Sequence, residues 1–299
     1  MLRGFVERPG RGRVSYLSEG SGATTVLLIH GSGMSARSWD MQLQGLPRSL
    51  RMIALDLPGH GQSDPAPRAG VEAYAGAVAD VLAALECGPV VVVGHSLGGS
   101  VAIALAARRP DLVRGLVLIA SCVKLPLVDS VGERLVAYLP GPLRRPLFFS
   151  MAKKVLFAPQ APADAIAITM RELRACRLET LQADVRAARA MDLTAHAAAL
   201  DVPTLVLSGG RDRLTTPALA ERLSALIPGS RLHIVDGAGH MLPLEAADRV
   251  NREIVAFVES LAAPLPATRT LDDRERSLSR LLDRLAGFAR RLRGSPPSD

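Results

Sequence analysis

The sequence predicts an α/β fold: a mostly parallel central sheet of about eight strands flanked by helices, with a helical cap insertion and a C-terminal amphipathic helix. Three observations predict it. Short, continuous apolar runs alternate with helical patterns, which is how strands buried on both faces and their covering helices read. Three of those runs end in glycine-containing turns, and each turn presents one reactive side chain: Ser96, Asp212 or His240. Between residues 121 and 199 the strands stop, while proline breaks and helical patterns continue.

Taken in order, residues 2–8 and 13–18 alternate around Pro9-Gly10-Arg11-Gly12 and predict an opening hairpin. Strands are expected near 25–30, 51–56, 89–94, 114–119, 203–208 and 231–236. Helices are expected at 72–86, 97–108, 217–227 and 245–262, the third opened by Pro217 in its first turn. These elements assign residues 1–120 and 200–262 to one core. The intervening 121–199 carries Pro126, Pro140, Pro142, Pro146, Pro159 and Pro162, with helical patterns at 163–173 and 178–191. It is expected to form a helical cap, with its most apolar part between Leu139 and Phe157. Residues 263–299 read as a linker followed by a basic helix. Thr270-Leu271-Asp272-Asp273 has the form of a helix start. Leu271, Leu278, Leu281, Leu285, Phe288 and Leu292 then make one apolar stripe. Eight arginines against four acids across 269–293 make that helix basic. It suits docking on its own domain, a homo-oligomer contact, or peripheral contact with an anionic membrane through residues 271–293.

The segment with most chemical content is Gly94-His95-Ser96-Leu97-Gly98. It follows the run Pro89 to Val93 and precedes a helix. A strand that turns through a serine flanked by glycines into a helix is the context of a nucleophile elbow. The tight turn excludes side chains two positions before and after the serine. It lifts the hydroxyl above the sheet edge and aims the Leu97 N–H into the same space. A serine nucleophile needs a base, and the base needs an orienting acid. Asp212 stands just past the strand 203–208, and His240 follows the strand 231–236 through a second glycine turn. An aspartate in a turn or a histidine in a loop would carry little alone. All three beyond the carboxyl ends of their strands, where open parallel sheets bind ligands, carry more.

On these residues the chain resembles the α/β-hydrolase family over about residues 1–262. Ser96 matches the family's nucleophile, Asp212 its acid and His240 its base. His30-Gly31-Ser32-Gly33, directly after the strand 25–30, is similar to the family's oxyanion turn. The resemblance implies Ser32 as the first backbone donor to the oxyanion, assisted by Gly33, with Leu97 as the second. Asp56-Leu57-Pro58-Gly59-His60-Gly61-Gln62-Ser63 matches the family's D-x-P-G-x-G-x-S loop. Among the other histidines, His30 is expected to support the oxyanion turn and His95 the elbow. His60 is read as belonging to a turn whose glycines matter more than its ring. His196 and His233 show no obvious partner in the sequence. No metal-ligand spacing occurs, so neither metal nor cofactor is expected.

Composition bounds the rest. The chain has 299 residues, 48% hydrophobic, 22% charged and 3% aromatic, as suits a globular protein with an aliphatic pocket. The net charge is +7, almost all of it arginine, since the lysines are Lys124, Lys153 and Lys154. No basic strand with interleaved aromatics and no finger spacing accompanies that charge, so nucleic acid is not an expected partner. Cys87, Cys122 and Cys176 make an odd set without a C-x-x-C, which fits a reducing compartment. The N-terminus lacks an apolar signal core, and no run reaches membrane-spanning length, so the cytoplasm is the expected location.

The expected activity is hydrolysis of carboxylic esters with small to medium apolar acyl groups, through an acyl-enzyme. Carbon–carbon bond hydrolysis, thioester hydrolysis and lactone hydrolysis fit the same residues. Met34-Ser35 after His-Gly-Ser-Gly, where the carbon–carbon hydrolases often have Pro-Gly, favours the ester. From a different class, a catalytically silent scaffold or binding protein is the alternative.

Overall fold

A computed structural model describes residues 1–65, 69–126 and 141–262. The hairpin comes first, as β1 (Leu2–Arg8) and β2 (Gly12–Glu19). Gly10 and Gly12 take positive φ between them, which glycine adopts without a steric penalty. β3 (Thr24–Ile29), β4 (Leu50–Leu55), β5 (Val90–His95), β6 (Val113–Ile119), β7 (Thr204–Gly209) and β8 (Arg231–Val235) follow. They join in one eight-stranded sheet of order β1-β2-β4-β3-β5-β6-β7-β8. β1 and β2 pair antiparallel, as do β2 and β4, and the remaining pairs are parallel.

The burial pattern explains the order. Every residue of β5 and of β7 is buried, so both are interior strands with helices on either face. β8, at one edge, has no fully buried residue. α1 (Asp40–Gly45), α2 (Val71–Ala84) and α3 (Leu97–Arg108) lie between the early strands. Val78, Val81 and Leu82 of α2 and Val101 and Leu105 of α3 share one core with Leu27, Val90, Val92, Leu116 and Leu118 of the sheet. Each such aliphatic side chain removed from water contributes roughly 1.5–3 kcal/mol, so this cluster dominates the stability of the fold. The direction of winding changes between β3 and β5, which have β4 and β6 on their far sides. The crevice beyond the carboxyl ends of those two central strands is therefore the place for a ligand.

Between β6 and β7 stand α4 (Gly141–Leu156), α5 (Ala163–Ala175), α6 (Leu178–Ala190) and α7 (Thr194–Ala198), with no strand among the described residues. Contacts place Met1–Val258 in one compact unit, so these helices and the sheet are not separate bodies. Glu259–Asp299 form a second unit, and the expected linker and basic helix in 263–299 lie outside the described residues. After β7 come α8 (Pro217–Leu226), α9 (Leu242–Glu245) and α10 (Ala247–Ala262). The single helix expected over 245–262 is thus preceded by a short turn of its own. Ala246 leaves helical geometry at φ −136° and ψ 48°, which separates the two. A 3₁₀ turn at Ala36–Trp39 and α1 stand where the sequence predicts no helix.

Candidate active site

β5 ends at His95, and α3 begins at Leu97, which leaves Ser96 alone at the corner. Its backbone sits at φ 52° and ψ −120°, a region that L-residues occupy only when the surroundings force it. The forces are visible. Ser96 N–H donates to Ile119 O of β6 at 2.9 Å, and Ser121 Oγ donates to Ser96 O at 2.9 Å. A Cβ on Gly94 would lie 2.4 Å from Gly98 O, and one on Gly98 would lie 2.2 Å from Ile29 O. The flanking glycines are therefore required by backbone-to-backbone contact.

The structure brings Ser96, His240 and Asp212 together. His240 Nε2 lies 3.0 Å from Ser96 Oγ, and His240 Nδ1 lies 2.9 Å from Asp212 Oδ2. The carboxylate fixes the tautomer: Nδ1–H donates to it, which leaves Nε2 to accept from the serine hydroxyl. Asp212 is held by three more donors. Leu214 N–H and Thr215 N–H reach Oδ1 at 2.8 and 2.9 Å, and Thr215 Oγ1 reaches Oδ2 at 2.7 Å. Burial pushes the Asp212 carboxyl up. The charge and hydrogen bond of His240, with the bonds from Thr215 and Leu214, outweigh this and hold it below the ordinary carboxylate range.

The histidine loop is held from both sides. Glu245 accepts from Gly239 N–H and Ala158 N–H through Oε2 and from Met241 N–H through Oε1, each at 3.0 Å. His95 Nε2–H donates to His240 O at 2.9 Å. Burial, followed by the neighbouring His240, drives the His95 pKa down to about 3, so its ring is a neutral brace.

The oxyanion turn is a four-residue turn closed by Met34 N–H to Gly31 O at 3.2 Å, with Gly33 at φ 71°. It abuts the serine: a Cβ on Gly31 would stand 3.1 Å from Ser96 Cβ. Neither the Ser32 nor the Leu97 N–H has a hydrogen-bond acceptor among the described residues. Gly33 differs from expectation. Its N–H donates to Asp184 Oδ2 at 3.2 Å, a charged acceptor that takes it out of the donor set. Beneath the turn, His30 Nδ1–H donates to Gly31 O at 2.8 Å, and its Nε2 accepts from Leu57 N–H at 3.0 Å. Burial and then the charge of His60 lower the His30 pKa to about 4.

Three other histidine readings are revised. The His60 ring, buried, bonds Asp184 Oδ2 through Nε2 at 2.9 Å, so ring and glycines both matter. His233 Nδ1 meets Glu253 at 2.8 Å, and His196 Nε2 lies 3.6 Å from Glu72. The D-x-P-G-x-G-x-S loop is a clasp. Asp56 accepts from Ala36 N–H, Gln62 N–H and Arg3, while Ser63 Oγ accepts from Ser15 N–H and donates to Asp56 O. Gly61 is required there because a Cβ would meet the Asp56 carboxyl at 2.3 Å.

The residues that follow the turn and the histidine are apolar and buried. Met34 after the oxyanion turn and Met241 after His240 join Phe157, Met170, Leu173 and Leu244 in one buried cluster, with Phe149 and Leu156 packed against it. Met151 of the expected apolar segment faces solvent. Leu139 lies outside the described residues. Cys122 is buried, and burial pushes its thiol up to about 11, which removes it as a competing nucleophile near neutral pH. No group of three His, Cys, Asp or Glu side chains among the described residues is arranged to hold a metal ion.

The arrangement is that of a hydroxyl activated by a buried imidazole–carboxylate pair beside two unengaged backbone donors, which suits attack on a carbonyl. Known proteins agree in kind. The chain is similar to the pimeloyl-acyl-carrier-protein methyl ester esterase of Neisseria meningitidis serogroup A, 34% identical over 255 residues, 82% of this chain and 80% of that one. It is 28% identical over 261 residues, 82% of this chain and 90% of the relative, to a 2-hydroxy-6-oxononadienedioate/2-hydroxy-6-oxononatrienedioate hydrolase of Cupriavidus pinatubonensis. Among solved structures it resembles a thermophilic esterase from Thermogutta terrifontis, with a TM-score of 0.77 at 27% identity, covering 88% of this chain and all of the other. The model of the alpha/beta hydrolase family matches residues 26–253. With its sheet order, its elbow and this match in accord, the chain belongs to the alpha/beta hydrolase family.

Proposed function

We propose that this protein is a serine hydrolase of carboxylic esters with small to medium apolar acyl groups, working through an acyl-enzyme. One observation carries the reading: the unbroken chain from Ser96 Oγ through His240 to Asp212, at 3.0 and 2.9 Å. His240 takes the Ser96 proton as Oγ attacks the carbonyl carbon. The Ser32 and Leu97 N–H groups receive the oxyanion, and Asp212 stabilises the imidazolium that forms. Collapse expels the alcohol, which takes the proton from His240. Water, deprotonated by His240, then releases the acid and restores the serine. The Met34, Met241, Phe157 and Leu173 cluster supplies an apolar wall for the acyl chain, and α5 and α6 serve as the cap that sets its length.

The Neisseria relative is named for a methyl ester carried on an acyl-carrier protein, which makes a short alcohol group and a longer acyl group the first choice. Carbon–carbon bond hydrolysis is the second reading, favoured by the Cupriavidus relative. Free thiols at Cys87, Cys122 and Cys176 support a reducing, cytoplasmic setting.

The test is hydrolysis of p-nitrophenyl and methyl esters of graded acyl length by the wild type and by Ser96→Ala. Turnover by the wild type that falls by several orders of magnitude in the variant is the expected result. No turnover at any length by folded wild type, with turnover of a dienoic ring-cleavage product instead, would replace this reading with the second.

A further inference from the structure

Asp184 is the one acidic residue of α6 that is wholly buried, and the serine mechanism does not use it. Its carboxylate reaches out of the inserted helices into the sheet's loops. Oδ2 accepts from Gly33 N–H at 3.2 Å and from His60 Nε2–H at 2.9 Å, and Oδ1 accepts from the Tyr74 hydroxyl at 2.8 Å. Burial opposes the charge. The His60 hydrogen bond and charge, with the Tyr74 bond and the nearby Ser32 hydroxyl, outweigh it and keep the carboxyl below its ordinary range. The Ser32 hydroxyl itself has no partner at hydrogen-bond geometry.

The position of these bonds matters more than their number. The His60 ring packs on the His30 ring with centroids 4.8 Å apart, and His30 holds Gly31 O at 2.8 Å. One network therefore grips the carbonyl on one side of Ser32 and the N–H on the other. What it leaves free between them is the Ser32 N–H, which follows Gly31, the residue that abuts Ser96. Leu173 and Leu181, from α5 and α6, close over the outer side of Gly33, where an added Cβ would meet them at 2.9 and 3.1 Å.

We propose that Asp184 is a positioning residue for the oxyanion turn, reaching from the inserted helix to fix the Ser32 peptide toward Ser96. Seating of the insertion and alignment of the first oxyanion donor are then a single event. The role rests on the ester-hydrolase reading above. A donor displaced by about 1 Å loses roughly 10²-fold in rate. Substrate binding, which needs the apolar wall and not the oxyanion, should be spared.

The experiment compares Asp184→Ala, Asp184→Leu and Asp184→Asn with Tyr74→Phe. The readouts are kcat and KM on the best p-nitrophenyl ester and affinity for an alkyl boronic acid that forms a tetrahedral adduct on Ser96. Alanine and leucine should lower kcat roughly 10–100-fold, leave KM within about three-fold and weaken the boronate by the factor lost in kcat. Asparagine, which still offers an oxygen to Gly33, should return kcat to within about three-fold of wild type. Tyr74→Phe removes a bond from the same carboxylate without touching Gly33, so it should lower the melting temperature and leave kcat unchanged. Wild-type kcat in folded Asp184→Ala or Asp184→Leu would overturn the proposal, as would an equal loss in Tyr74→Phe. Should neither apolar variant fold, boronate addition to the wild type decides the matter. It should shift the NMR signal of the His60 ring N–H, on the far side of Asp184, and an unmoved signal would overturn the proposal. A wild type without esterase activity would instead remove the reading beneath it.

Discussion

Thr215 grips the Asp212 carboxylate with both of its donors, the backbone N–H on one oxygen at 2.9 Å and the hydroxyl on the other at 2.7 Å. The same hydroxyl stands 3.2 Å from His240 Nδ1. The threonine therefore sets the plane in which Asp212 meets the imidazole. A hydrogen bond to a buried charge contributes roughly 1.5–3 kcal/mol.

Thr215→Val keeps the shape and the N–H but removes the hydroxyl. We expect kcat on an activated ester to fall roughly ten-fold or more with KM nearly constant, because the loss bears on the charged imidazole. Thr215→Ser should retain most of the rate. Steady-state kinetics of the pair checks this, and equal rates in Thr215→Val and wild type would show that the backbone donors suffice.

Glu245 binds three backbone N–H groups that bracket His240 and reach α4's exit at Ala158. Glu245→Ala leaves the Gly239 and Ala158 N–H groups without an acceptor and Met241 N–H with Leu156 O alone, at 3.2 Å, which costs about 2 kcal/mol or more in all. The expected outcome in urea denaturation is a lower midpoint with an unchanged slope. Activity should decline as well, since Gly239 loses its anchor and Met241 one of two.

Acid should destabilise the fold through two buried histidines. His30 and His95 have native pKa values lowered to about 4 and about 3, against an ordinary 6.5. Below 6.5 the unfolded chain binds protons that the native chain refuses, so stability falls as pH drops toward 4. The loss approaches about 1.4 kcal/mol per pH unit for each ring. Asp184 and Asp212 act in a lower window, because their native carboxyls lie below the ordinary value and their contribution fades only as pH falls through it. Denaturant midpoints at pH 7.5, 6.5, 5.5 and 5.0 test this. His95→Gln should flatten the slope, and an unchanged slope would remove His95 from the account.

Ser96 holds a backbone conformation suited to glycine. Relief of such strain contributes about 1–3 kcal/mol, offset by about 0.4–1 kcal/mol for the extra freedom glycine gives the unfolded chain. Inactive Ser96→Gly should therefore melt higher than inactive Ser96→Ala. Gly98→Ala, whose Cβ would press on Ile29 O, should melt far lower than either.

The sheet could be read from sequence because its strands are continuous apolar runs with glycine punctuation, and periodicity is a local signal. The Ser96–His240–Asp212 arrangement could be read because each of the three follows such a strand. Thr215, Ser121, Glu245 and Asp184 could not. Thr215 and Glu245 bond within a few residues in irregular turns that carry no period, whereas Ser121 meets Ser96 from 25 residues away and Asp184 meets Gly33 from 151. Gly33 shows the same limit: its sequence position fits an oxyanion donor, and the acceptor of its N–H is a distant carboxylate. The short helix at Asp40–Gly45 escaped because six residues cover too few turns for a period to emerge.

Ser96 Oγ and His240 Nε2 are 144 positions apart in the chain. A ribosome therefore completes the strained corner with its serine long before it adds the imidazole that would take the serine's proton. Any product released early, or clipped before residue 240, carries the nucleophile without its base. Chain breaks between Ser96 and His240 should thus yield inert fragments rather than stray esterases, and synthesis through residue 240 becomes a condition of reactivity.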